Sequence, residues 1–156
     1  GLATQPEQSE LLYESALLAE KLGRHEAMEA SLRKLIRLKP EHAHAYNALG
    51  YSFAERNQRL EEAEQLVLKA LQLSPDDPFI IDSMGWVLYR KGDNQGALAH
   101  LQRAFSIRPD PEIAAHLGEV LWALGRRDEA KRIWQEAAKA HPGNEVLAEV
   151  IKRFAP

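Results

Sequence analysis

The chain of 156 residues is long enough to bury the core of one domain, and its 45% hydrophobic and 28% charged residues are typical of a folded globular protein. Its formal net charge of −3 is small, with acids and bases interspersed, which argues against nucleic-acid binding because that function needs a basic patch. The absence of cysteine excludes disulfides, thiolate zinc sites and thiol nucleophiles, and no apolar run approaches the roughly 20 residues that span a bilayer.

The first predicted helix starts near Pro6, where Thr4 and Glu7 form a capping-box pattern. One side carries the stripe that is expected to face the second helix of the same hairpin: Leu12, Ser15, Ala16 and Ala19. A different side carries three further leucines: Leu11, Leu18 and Leu22. An apolar surface on more than one face indicates contact beyond one hairpin. We therefore expect either further repeats before this helix in a longer chain, or docking on a second copy.

The segments that follow share one pattern of a helix, a break and a second helix. In the clearest segment, the first helix has an apolar face formed by Ile81, Met84, Gly85 and Leu88. Gly92 and Asp93 break that helix and supply an N-cap for the next. The second helix has one small and apolar face: Ala97, Leu101 and Ala104. Pro109 ends it, because proline has no amide donor.

Each of four successive segments ends in a proline: Pro40, Pro75, Pro109 and Pro142. Their spacings of 35, 34 and 33 residues define a period near 34. Gly50 and Gly118 occupy the positions of their segments that are equivalent to Gly85. At this position two antiparallel helices must approach closely. This pattern resembles the tetratricopeptide repeat (TPR) over essentially the whole chain. The resemblance implies an all-α fold, a right-handed α-solenoid of four helical hairpins and a C-terminal capping helix.

We predict a single domain over residues 1–156, with repeats at about 9–42, 43–77, 78–110 and 111–144 and a capping helix at 145–154. Two positions depart from the repeat. One extra residue between Asn57 and Leu60 predicts a bulged corner, and Met28 replaces a small residue, which predicts a loosened or shifted hairpin. Lys152 lies where the repeat has glycine and could not pack against a following helix, so we expect the array to end there.

In stacked hairpins the first helices line a concave groove. Residues roughly 80–180° from the core stripe, at about 100° per residue, are predicted to face that groove. They are Tyr13, Leu17, His44, Asn47, Tyr51, Phe79, Asp82, Trp86, Tyr89, Glu112, Glu119 and Trp122. This set is rich in aromatic rings, which dominate binding hot spots, and it includes acids. The alternative for any single ring is packing between neighbouring helices.

The most familiar TPR binding mode is a clamp of Lys, Arg and Asn on the C-terminal carboxylate of a chaperone. The matching positions here hold Tyr13, Leu17, Ala48, Phe79 and Ser83. None is basic, so a chaperone tail is not the expected ligand. An apolar or mildly basic peptide, or a partner helix, fits better.

Two other arrangements suggest chemistry. His42 and His44 are two residues apart and point to different sides of a helix, and no Cys or carboxylate pair completes a metal site. Asp82, Ser83 and His116 have the residue types of a hydrolase triad, but a regular helix provides neither a strained nucleophile nor an oxyanion hole. We expect no metal, no cofactor and no catalytic residue.

Three stretches carry a closer resemblance: residues 44–51 (HAYNALGY), 82–89 (DSMGWVLY) and 116–122 (HLGEVLW). They look like the C-terminal part of large TPR lipoproteins of Gram-negative bacteria. That resemblance implies a periplasm-facing adaptor, anchored to the outer membrane in the full-length protein. It also implies a carboxyl-terminal processing protease, or the substrates of one, as partner.

The predicted function is therefore a non-catalytic scaffold that binds a peptide or helix of another protein in an aromatic groove. The chain opens with Gly1 and shows no signal peptide, so we interpret it as a fragment whose compartment its own residues do not determine. We expect no nucleic-acid partner and no membrane contact by this fragment. The alternative is a homo-oligomerisation module that uses the apolar first helix.

Overall fold

The computed structural model describes residues 5–156, with side chains from residue 7 onward. Over this range the chain forms helices joined by short turns and contains no strand. The helices are α1 (Gln5–Lys21), α2 (His25–Leu38), α3 (Ala43–Glu55), α4 (Leu60–Leu73), α5 (Pro78–Arg90), α6 (Asn94–Ile107), α7 (Pro111–Ala123), α8 (Arg127–Ala140) and α9 (Glu145–Phe154). Four successive pairs form hairpins, and α9 follows the last. Thr4 of the capping box lies outside the described residues, so the predicted start of α1 near Pro6 stays a prediction.

The chain divides into two compact units, one ending at Pro75 and the other spanning Asp76–Pro156. The first contains hairpins α1–α2 and α3–α4, with α2 also packed on α3. The second contains hairpins α5–α6 and α7–α8, with α6 packed on α7, and α9 packed on α7 and α8. The interpretation of residues 1–156 as a single domain stays a prediction.

The repeat glycines lie where hairpin helices approach each other, as the sequence predicts. A β-carbon built on Gly50 of α3 would lie 2.7 Å from Val67 Cγ2 of α4. One built on Gly85 of α5 would lie 2.8 Å from Leu101 Cγ of α6. These distances are shorter than van der Waals contact, so a residue without a side chain is needed at both places.

Helix ends also follow the sequence signals. Asp93 is the N-cap of α6 and accepts a hydrogen bond from Gly96 N at 2.9 Å, and Asn144 caps α9 by accepting from Leu147 N at 3.0 Å. Three hairpin turns place a glycine at positive φ: Gly23, Gly92 and Gly125. The bulged corner is confirmed, because the α3–α4 turn instead places Asn57 (φ 55°) and Arg59 (φ 47°) in the left-handed region.

The core of the first unit is formed by apolar residues of all four helices, including Ala16, Met28, Leu32, Leu49, Phe53 and Val67. Met28 is 1% exposed, so the hairpin accommodates its longer side chain in the core. In the second unit Trp134 of α8 is fully buried and its Nε1–H donates to Ala115 O of α7 at 3.3 Å. Leu147 and Val150 attach α9 to this core. None of the described helices combines the length and the apolar character needed to cross a membrane.

Candidate protein-interaction surface

The predicted groove residues of the first unit lie on α1 and α3 and reach solvent to different degrees. Leu17 is 47% exposed and His44 is exposed, while Tyr13, Asn47 and Tyr51 are half-buried. The Asn47 Oδ1 atom is buried and has no hydrogen-bond partner among the described residues. This face therefore presents an aliphatic chain, two phenols and an amide, which are side chains that suit contact with another protein.

His42 fixes the start of α3 beside this face. Its Nδ1 atom accepts a hydrogen bond from Ala45 N at 3.1 Å, which requires an unprotonated Nδ1. The Tyr13 ring packs on the imidazole with a centroid distance of 5.2 Å. Burial lowers the pKa of His42, and electrostatic interactions with His44 and Lys39 lower it further. The neutral form that caps the helix is thereby favoured.

In the second unit a nearly buried polar contact joins α5 to α7. The Nδ1–H of His116 donates to both oxygens of Asp82, at 2.9 and 3.1 Å, because a carboxylate can only accept. The two side chains are only 12% and 7% exposed. Trp86 stacks on the His116 ring at a centroid distance of 4.1 Å and an interplanar angle of 24°. Trp86 itself is 4% exposed, so its ring packs between helices.

A second polar contact joins α7 to α9. Glu119 is 8% exposed and accepts a hydrogen bond from Arg153 at 2.9 Å. Burial raises the pKa of Tyr89, and the Glu119 carboxylate, which accepts a hydrogen bond from the Tyr89 hydroxyl, raises it further. Tyr89 therefore stays a neutral donor at physiological pH. Asp82 and Glu119 thus serve contacts within the unit, and neither is an open acidic group.

The predicted residues that remain accessible in the second unit are Phe79, Tyr89, Glu112 and Trp122. Phe79 is 36% exposed and Glu112 is exposed, while Tyr89 and Trp122 are half-buried. The Trp122 ring packs against Phe154 of α9 and Trp134 of α8, with centroid distances of 5.8 and 6.0 Å. The Trp122 ring is therefore tied to the unit's own core and is only partly accessible.

Cations border these rings, and sequence reasoning did not place them there. The Arg108 guanidinium lies 5.5 Å from the Phe79 ring, and that of Arg127 lies 4.9 Å from the Trp122 ring. Such cation–π contacts cover ring faces without removing their outer edges from solvent. The positions of the two arginines in the sequence could have indicated these contacts. Arg108 directly follows the end of α6, and Arg127 is the first residue of α8.

The two chemical alternatives find little support in the geometry. Within residues 5–156, no three His, Asp or Glu side chains come together in a way that could hold a metal ion. Ser83 is 3% exposed, and its hydroxyl donates to Phe79 O of its own helix at 3.0 Å. That hydroxyl is thus buried and oriented along its own helix, away from the role of an exposed nucleophile.

Family models for the tetratricopeptide repeat match this chain over residues 13–78 and again over residues 88–152. The chain belongs to the tetratricopeptide repeat family. TPR proteins are in general scaffolds for protein interaction. A TPR repeat-containing protein of Pseudomonas aeruginosa is 50% identical over 119 residues, which is 76% of this chain. The chain spans only about a fifth (20%) of that relative's length.

Solved structures confirm the predicted all-α fold of TPR hairpins. A thermophilic TPR protein of Thermus thermophilus aligns with a TM-score of 0.82 and 25% identity over 96% of this chain and 81% of its own. The O-GlcNAc transferase of Thermobaculum terrenum aligns with a TM-score of 0.80 and 21% identity, over 90% of this chain but 28% of the transferase. The PilF protein of P. aeruginosa aligns with a TM-score of 0.78 and 20% identity, over 96% of this chain and 70% of its own. The last two likenesses concern the fold alone.

Proposed function

We propose that this TPR chain is a non-catalytic scaffold that binds an apolar peptide or helix of another protein on the outer faces of its first helices. The observation that carries the proposal is the exposure of Leu17 and Phe79, at 47% and 36%, on first helices whose core stripes are filled by other residues. Large apolar side chains held on rigid helices lose little conformational entropy when they bind.

The binding residues fall into two groups that differ in accessibility. We propose that direct contacts are made by Tyr13, Leu17, His44, Asn47 and Tyr51 in the first unit, and by Phe79, Tyr89 and Trp122 in the second. Asp82, Trp86 and Glu119 are at most 8% exposed, so their part is to hold the helices that carry the others. Burial of these two carboxylates also weakens the attraction for a basic ligand, although Glu112 stays exposed, and this favours an apolar ligand.

We also propose that the chain is part of a larger TPR lipoprotein of the bacterial envelope, facing the periplasm. A carboxyl-terminal processing protease, or its substrates, would be the partner. Support comes from the three stretches at residues 44–51, 82–89 and 116–122, and from the bacterial relative of much greater length. Fatty-acid labelling of the full-length protein, followed by membrane fractionation, tests the anchor: an unlabelled protein in the aqueous fraction would contradict it.

The binding proposal is tested by photo-crosslinking from defined positions. A photoreactive amino acid is introduced singly at Leu17 and at Phe79, and as matched controls at Gln65 and Gln102, which are exposed on the second helices α4 and α6. In extract of the source organism we expect the same crosslinked protein from both first-helix positions and not from the controls. Equal crosslinking from all four positions, or none from the first helices, would contradict the proposal.

A further inference from the structure

The leucines of α1 that do not face its own hairpin form an exposed stripe. Leu11, Leu18 and Leu22 are 56%, 57% and 58% exposed, although they lie on one side of the helix at spacings of seven and four residues. Leucines exposed singly are common on protein surfaces, but three in a row on one helix face are not. The ligand face proposed above does not include this stripe.

The repeat itself indicates what the stripe is built to contact. In repeat register, Leu11, Leu18 and Leu22 correspond to Ile113, Val120 and Leu124 at the far end of the chain. All three positions are therefore aliphatic in both repeats. Yet Ile113 and Val120 are fully buried, and Leu124 packs on the core of the second unit. The same face is thus covered in one repeat and open in the other.

The cover in the later repeat is the hairpin that comes before it. Val120 lies in one buried cluster with Leu98 and Leu101 of α6, and α6 packs along α7. The same side of α3 also meets the hairpin before it, since Ser52, which corresponds to Leu18, donates a hydrogen bond to Glu20 of α1 at 2.8 Å. In both cases this side of a first helix receives the preceding hairpin.

We propose that the stripe of Leu11, Leu18 and Leu22 is the docking face for a further TPR hairpin on the N-terminal side of α1. The second helix of that hairpin would lie on the stripe as α6 lies on α7. The P. aeruginosa relative has the length for such a hairpin, because the match covers only 20% of it. A second copy could dock head to tail only by placing its last second helix, α8, on the stripe. This arrangement is disfavoured because α9 already packs on α8.

The test grafts a hairpin in the register that the proposal requires. A copy of residues 76–110, which contains α5, α6 and the connection that leads into α7, is placed so that Asp110 is followed directly by Ser9. Leu11 then takes the position that Ile113 has in the original chain. Leu18→Ser is made in the original chain and in the grafted chain, and Leu68→Ser, at a leucine of α4 that is 41% exposed, is the control.

We expect the grafted chain to gain helical signal in proportion to its added residues. Leu18→Ser should leave urea unfolding of the original chain unchanged and should lower the folding equilibrium constant of the grafted chain by about tenfold or more, as loss of a buried leucine does. Leu68→Ser should have little effect in either. An unfolded graft, or the same effect of Leu18→Ser in both chains, would overturn the proposal. So would an original chain that is dimeric and becomes monomeric with Leu18→Ser, since a second copy would then be the occupant.

Discussion

Gly118 of α7 lies directly against the indole of Trp134 of α8, so close that a β-carbon on Gly118 would overlap the indole nitrogen and its neighbouring carbons. Trp134 is fully buried and its Nε1–H donates to Ala115 O, so moving the ring would break this hydrogen bond. The contact couples two features of the TPR pattern, the small residue of the first helix and the large residue of the second.

Gly118→Ala should therefore destabilise the chain, although alanine is the better helix former. Helix propensity alone would stabilise by about 1 kcal/mol, whereas overpacking costs typically about 1–3 kcal/mol. We expect the overpacking to dominate in the free energy of unfolding measured with urea. Ala99→Gly, at an exposed position of α6, gives the propensity effect alone and should cost about 1 kcal/mol. An alanine variant at least as stable as the original chain would refute the close contact.

The Asp82–His116 pair should show energetic coupling, because both side chains are nearly buried. Removing either partner leaves a buried polar group without its hydrogen bond, at a cost of about 1–3 kcal/mol. In a double-mutant cycle with Asp82→Ala and His116→Ala we expect a coupling energy of at least about 1 kcal/mol. The matched control is the exposed pair Asp76–Arg103, at 88% and 51% exposure, where the coupling should be below about 0.5 kcal/mol. Equal coupling in the two cycles would show that burial of the pair contributes nothing.

The cap of α3 should make stability depend on pH. The pKa of His42 is lowered by burial, so its contribution is complete above the ordinary value of about 6.5 and is lost as the pH falls through the folded-state pKa. Protonation removes the acceptor that Ala45 N uses, so we expect up to about 1 kcal/mol to be lost on acidification. His42→Asn keeps an N-cap acceptor without titrating and should flatten the profile between about pH 7 and 5. A wild-type profile identical to that of the variant would contradict this account.

Phe154 should hold α9 on the second unit. Its ring packs against those of both Trp122 and Trp134, with centroid distances of 5.8 and 5.7 Å, and the neighbouring Arg153 donates a hydrogen bond to Glu119. For Phe154→Ala we expect faster amide exchange in α9 by about tenfold or more, with little change in α1–α4, since a partly buried aromatic contributes about 1–3 kcal/mol. Val146→Ala, at an exposed position of the same helix, is the control. Unchanged exchange in α9 would show that Phe154 does not hold it.

The fold could be predicted from the sequence because its signals are local. The caps at Asp93 and Asn144 and the extra residue before Leu60 act within a few positions of where they stand, and the glycines at the close approaches act within one hairpin. A period near 34 residues then repeats the main signals: a glycine lies at the close approach in three of the four hairpins, and a proline follows each of the four. Periodicity and packing thus agree from repeat to repeat, which is the condition under which sequence reasoning works best.

The detailed surface could be predicted only in part, because helical periodicity gives the angle of a residue around its helix and not what lies opposite it. Trp86 and Phe79 have similar angular positions, yet Trp86 is 4% exposed and Phe79 is 36% exposed. The Trp86 ring is covered by His116, which stacks on it, and by Tyr89 and Arg90. The sequence contained one further signal. In each of the pairs Asp82–His116 and Glu119–Arg153, an acidic and a basic side chain are separated by 34 residues, which is the repeat length itself.

The proposed function requires that the exposed side chains of the first helices bind a segment of another protein. The most direct measurement is the affinity of the protein captured by crosslinking for the original chain and for the double variant Tyr51→Ala with Phe79→Ala. We expect the double variant to bind at least about 30-fold more weakly, as for two hot-spot residues, with unchanged helical content, and Leu68→Ala to bind like the original. Equal affinity of all three chains would contradict the claim.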